Sequence, residues 1–144
     1  MANLQKRLDQ VISNVQRKLI QNNEVIPVKI PGGVQVGNVK IINNGSHKDL
    51  YKNDELMFAG IYLNKVAVKI ANFLAINYIK YHTQIDKLYQ ADQQFGAALE
   101  DYQIFRAKYQ CARDPDRAQI LLARLCYSKD RANYYKNQAL RLAQ

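Results

Sequence analysis

Met57-Phe58-Ala59-Gly60-Ile61-Tyr62-Leu63-Asn64-Lys65-Val66-Ala67-Val68-Lys69-Ile70 is where the chain changes period. Upstream lie short β-branched runs broken by Gly, Pro and Asn. Downstream, apolar side chains return every three or four residues. A period of two that gives way to one near 3.6 predicts a small sheet followed by helices, an α+β fold.

Backwards from this point, residues 56–62 read as a strand, Asn53-Asp54 as a tight turn and residues 47–52 as a strand. Asn43-Asn44-Gly45 is a strong hairpin signal. Val34, Val36, Val39, Ile41 and Ile42 make one further strand, bent or bulged near Gly37. Pro31-Gly32-Gly33 is a turn, and residues 25–30 form a first strand that Pro27 confines to a sheet edge. The expectation is an antiparallel meander of three or four strands over residues 24–62. Before it, residues 3–21 read as an amphipathic helix with Leu4, Leu8, Val11, Val15 and Leu19 on one stripe. Such a helix ordinarily packs on its own core. Its place before a proline-containing segment suits an arm that binds a neighbouring subunit, through Leu8, Val11 and Val15.

Forwards, Asn64 suits an N-cap, and Val66, Ile70, Phe73 or Leu74, Asn77 and Tyr81 share a face. Leu88, Ala91, Phe95, Ala98, Tyr102, Phe105 and Tyr109 then alternate three-and-four spacing over three heptads. Either a kink at Tyr81-His82-Thr83 separates the two registers or the helix runs unbroken to about residue 112. Arg113-Asp114-Pro115-Asp116 stops one helix and starts another: Asp114 caps and Pro115 takes the first helical position. The last helix repeats the spacing at Ala118, Leu121, Leu125, Ser128, Ala132, Tyr135, Ala139 and Leu142. Two such helices joined so tightly lie antiparallel, with aromatics of the first between small residues of the second. The chain therefore divides into a helical arm (1–23), a meander (24–62) and a helical hairpin (63–144) within a single domain.

A chain of 144 residues has enough surface to bury for a core without disulfides or metal. Its net charge is +9, from 21 basic and 12 acidic side chains, with no run of five like charges. Residues 113–144 are the densest positive stretch, seven basic against three acidic, net +4. A diffuse positive field attracts polyanions over long range. Cys111 and Cys126 belong to no Cys/His cluster and, on opposite arms of a hairpin, are offset beyond disulfide reach. Free thiols without a signal peptide fit synthesis in a reducing compartment. No stretch of about 18 uncharged apolar residues exists, so no membrane partner is expected.

The sequence argues against enzymatic chemistry, a cofactor or a metal. It lacks G-x-G-x-x-G, G-x-x-x-x-G-K-[ST] and G-x-S-x-G. Pro31 to Gly37 is glycine-rich but leads into a strand, whereas a phosphate cradle needs a helix N-terminus. Glu100 and Asp101 are adjacent on a helix and diverge by about 100°. His47 and His82 stand alone and read as exposed.

Tyrosine is the enriched aromatic, ten residues against four Phe and no Trp. Several stand beside cations: Tyr51-Lys52, Lys80-Tyr81, Arg106 with Tyr109, and Tyr134-Tyr135-Lys136. Tyr102, Tyr109 and Tyr135 belong to the seam, while Tyr89, Tyr127 and Tyr134 are free of it. Arg117, Arg124 and Arg131 recur every seven residues beside the seam, where interhelical ion pairs with Asp92 and Asp101 are the ordinary expectation. The same arginines with Lys136, Tyr127 and Tyr134 would also suit DNA or RNA, phosphates meeting cations and bases stacking on rings.

Residues Leu4 to Ile12, Asn22 to Lys29 and Leu63 to Asn72 together resemble small uncharacterised proteins of contractile-tailed phages of marine cyanobacteria. The matching stretches cover under a third of the chain and carry no motif of assigned chemistry. The resemblance implies a viral gene product made in the host cytoplasm. Two expectations follow. The first is a non-enzymatic, oligomerising structural or assembly protein whose partners are copies of itself or other phage structural proteins, with the virion as one destination. Its seam residues are Phe95, Tyr102, Phe105, Leu125 and Tyr135. The second is a basic accessory protein that binds nucleic acid through its C-terminal helix.

Overall fold

The computed structural model describes residues 7–11 and 26–144. The fold is α+β: a short N-terminal helical stretch, a five-stranded antiparallel meander and a C-terminal helical hairpin. Residues 7–11 are helical, here α1, and Leu8 and Val11 are exposed. Val15, the third residue expected to bind a neighbouring subunit, lies outside the described residues. The strands are β1 (Val28–Ile30), β2 (Gly33–Val36), β3 (Val39–Asn44), β4 (His47–Lys52) and β5 (Glu55–Ile61). The helices are α2 (Asn64–Cys111) and α3 (Pro115–Leu142). They hold 48 and 28 residues, 76 of 144, well above the ordinary third. No helix of the described residues is long and apolar enough to cross a membrane.

Each strand pairs with its sequence neighbour. The single bent strand expected across Gly37 is two strands, because Val36 pairs with Val39 and the chain reverses at Gly37-Asn38. Gly37 has φ +60°, the left-handed conformation a two-residue reversal needs and glycine supplies without strain. The next turn is Gly45-Ser46, with Asn43 and Asn44 still in β3. Asn53 and Asp54 both take positive φ, 52° and 64°, as a type I′ turn requires. The β4–β5 pairing shifts register on either side of Leu50. Asp49 supports this bulge: its Oδ1 accepts from Gly60 N at 3.0 Å and its Oδ2 from Asn44 Nδ2 at 3.1 Å.

The chain forms two compact units, the first ending at Asp86 and the second covering Lys87–Gln144. In the first, Val36, Val39, Ile41, Leu50 and Ile61 from the sheet and Val66, Ile70 and Leu74 from α2 are buried. The first helical bond of α2 runs from Ala67 N to Leu63 O, so Leu63 rather than Asn64 holds the cap position.

The expected kink exists, but at Asn77 rather than at Tyr81-His82-Thr83. Asn77 has extended dihedrals (φ −167°, ψ 100°) inside α2. Its Oδ1 accepts from Lys80 N at 3.2 Å, the bond an N-cap makes to the third residue of a new helix. On the other side of the break, Lys52 Nζ donates to Leu74 O at 3.3 Å, placing a cation on a carbonyl of the last turn. Phe73 and Tyr81 stack at 4.6 Å across the break. His82 is exposed, as expected, with Nδ1 2.8 Å from Ile79 O. His47 is half-buried instead, edge-on to Tyr62 at 4.6 Å, and its Nδ1 is buried without a hydrogen-bond partner.

Candidate functional site

In the second unit the seam follows the expected spacing. Leu88, Ala91, Phe95 and Ala98 on α2 and Leu121, Ser128, Ala132 and Ala139 on α3 are buried. Tyr102, Phe105, Leu125 and Tyr135 continue the seam but remain half-buried, and Tyr109 and Leu142 are exposed. Asp92 is fully buried and accepts from Gln93 Nε2 at 3.2 Å. α3 starts as the sequence dictates: the Asp114 side chain accepts from Asp116 N, and Pro115 stands in the first turn.

The arginines beside the seam meet aromatic rings. The Arg124 guanidinium lies over Phe105 of α2, 5.9 Å from the ring centroid. Arg131 lies between two rings of its own helix, 5.6 Å from Tyr127 and 5.7 Å from Tyr135, one turn to either side. A hydrogen bond with Tyr135 raises the Arg131 pKa above its ordinary value; desolvation opposes this, and the charges of Tyr135, Tyr127 and Asp101 add to it. Asp101, one of the two expected carboxylate partners, therefore acts on Arg131 through space, as the weakest of these influences. Arg117 is exposed.

Sequence reasoning missed how these residues interleave. Ile120, Tyr127 and Tyr134 also recur every seven residues, each three after an arginine. Arg117, Ile120, Arg124, Tyr127, Arg131, Tyr134, Gln138 and Arg141 thus form a second three-and-four stripe on α3, beside the seam and without an acidic member. Ile120 is 58% exposed, and Tyr127 and Tyr134 are each 64% exposed. From Arg117 to Arg141 the stripe runs about 36 Å at 1.5 Å per residue. Lys136, expected among the nucleic-acid contacts, comes one residue after a seam position and so lies on the opposite flank with Lys129. Tyr89 is half-buried. The signal was available: a spacing of three between each Arg and the next Ile or Tyr.

Elsewhere, an open concavity of about 250 Å³ at one end of the sheet is lined by Gln35, Asn38, Lys40, Tyr51, Asn53 and Asp54. Its titratable side chains are Lys40, Tyr51 and Asp54. Among the described residues no three His, Cys, Asp or Glu side chains stand together as a metal site. Cys111 and Cys126 are exposed free thiols. Comparison with protein-family models, with curated proteins and with solved structures gives no match to this chain.

Proposed function

We propose that this is a non-enzymatic, oligomerising structural or assembly protein, of phage origin as the resemblance of residues 4–12, 22–29 and 63–72 implies, and a component of a virion or of its assembly. The observation that supports it is the incompletely closed seam. Two helices shield one strip between them, and here Tyr102, Phe105, Leu125 and Tyr135 stay half-buried. Leu122, on the flank away from the arginines, is 40% exposed. Fully burying one leucine is worth about 1.5–3 kcal/mol, so a helix from a second copy laid along this flank gains by covering Leu122 and the half-buried Leu125. The α1 residues Leu8 and Val11, 49% and 58% exposed, offer a second apolar ridge.

Light scattering coupled to gel filtration tests the reading. A mass of two or more subunits at micromolar concentration is expected. Leu122→Glu or Leu8→Asp, both at exposed positions, should move the population towards one subunit. One subunit mass at high micromolar concentration overturns it. Copurification with capsid or tail components separates a virion component from a cytoplasmic factor.

A further inference from the structure

The arginine and tyrosine stripe of α3 lies on the flank of the seam opposite Leu122. We propose that this stripe is a binding site for single-stranded nucleic acid, on a surface separate from the oligomer contact. Charge selects the class of partner. Arg117, Arg124 and Arg141 are exposed and Arg131 half-buried along one line of a chain with net charge +9, so a polyanion is drawn in there.

The rings select among polyanions. Tyr127 and Tyr134 are exposed between the arginines, and a base stacks on such a ring whatever its sequence. They are seven residues apart, about 10.5 Å along the helix, against about 3.4 Å between stacked bases. Each ring therefore takes a separate, unstacked base, which a duplex does not present. The arginines are also arranged in advance. Arg124 stands 5.9 Å from the Phe105 ring centroid and Arg131 stands between Tyr127 and Tyr135, 5.6 and 5.7 Å away, and ring contacts of this kind lower the ordering entropy that a guanidinium loses on meeting a phosphate. Asp101 of α2 and Asp130, next to Arg131 on α3, are carboxylates that oppose a phosphate there.

Fluorescence anisotropy of a labelled 20-nucleotide oligothymidylate, titrated with full-length protein at about 50 to 200 mM salt, tests the proposal. Saturable binding that weakens steeply with salt is expected, stronger than to a 20-base-pair duplex. The variant Arg124→Gln/Arg131→Gln should lose about tenfold or more in affinity, and its salt slope should flatten by about 1.4, at 0.7 per lost contact. Lys40→Gln/Lys65→Gln, at exposed positions of the first unit, removes the same charge away from α3 and should change affinity less than about threefold. Tyr127→Ala/Tyr134→Ala, at exposed positions that leave the fold intact, should cost about tenfold per ring with the slope unchanged. Four results would each overturn the proposal: no binding at the low-salt end, equal affinity for duplex, equal losses from the lysine and arginine pairs, or polyglutamate competing as well as the oligonucleotide at equal charge. Because the readout is binding, failure here leaves the subunit mass, and the assembly reading, untouched.

Discussion

Asn77→Ala probes the break in α2. The substitution removes the bond from Lys80 N to Asn77 Oδ1, and losing an N-cap of this kind costs about 1 kcal/mol, within a range of about 0.5–2. Alanine could recover that loss if the helix simply straightened through residue 77. Straightening has its own cost. Residues eight apart in a continuous helix stand about 12 Å apart along the axis, so Phe73 and Tyr81, now stacked at 4.6 Å, would part. An aromatic pair is worth about 0.5–1.5 kcal/mol beyond the area it buries. Leu74 O would also take a helical donor and displace Lys52 Nζ. The break therefore persists, and the variant is less stable by about 1 kcal/mol. With an m-value of about 2 kcal/mol/M, the urea midpoint should fall by about 0.5 M with little change in helical circular dichroism. Asn77→Asp, which keeps a capping oxygen, should stay within about 0.5 kcal/mol of the parent. An alanine variant as stable as the parent, with more helical signal, would show that nothing but asparagine's weak helix preference holds the break.

Two further substitutions test the sheet. A Cβ on Gly33 would run into the Ile41 carbonyl oxygen and lie 2.9 Å from its carbon and 3.2 Å from Ile42 Cα. Backbone on the neighbouring strand cannot yield without parting β2 from β3, so Gly33→Ala should destabilise by about 1–2 kcal/mol net of the entropy gain in the unfolded chain. Unfolding in urea with a raised midpoint would refute this. Asp49→Ala leaves Gly60 N without its acceptor at the bulge and should lower stability by about 1.5 kcal/mol, with amide exchange at Gly60 accelerated. Unchanged exchange there would mean that the bulge does not depend on Asp49.

Spacing alone located the seam because each arm repeats it over three heptads, and a repeat of that length has few alternatives. The break at Asn77 was harder to read: asparagine stood as the odd polar member of an apolar face, and an N-cap inside a long helix looks like an ordinary polar position. The reversal at Gly37-Asn38 was written in the phase. Val34 and Val36 alternate, and Val39 and Ile41 alternate, but the two pairs are out of step by one residue, which a two-residue turn explains and a bulge imitates. At the candidate site, the seven-residue arginine row was legible. The Arg124–Phe105 pair was not, since it depends on how far one arm of the hairpin slides past the other, and spacing within each arm leaves that free.

The nearest-neighbour order of the sheet bears on how fast the protein folds. Among the described residues no strand pair joins positions more than 13 apart, the span from Val39 to Lys52 and from Lys48 to Ile61. Sheets usually fold slowly because distant segments must meet before any bond rewards them. Here every closure is a small loop, formed on the microsecond scale of a single hairpin, and each new strand finds its template already made beside it. Val66, Ile70 and Leu74, buried in the same unit, follow β5 within 13 residues, so this sheet, unlike most, can assemble in the order in which a ribosome delivers it.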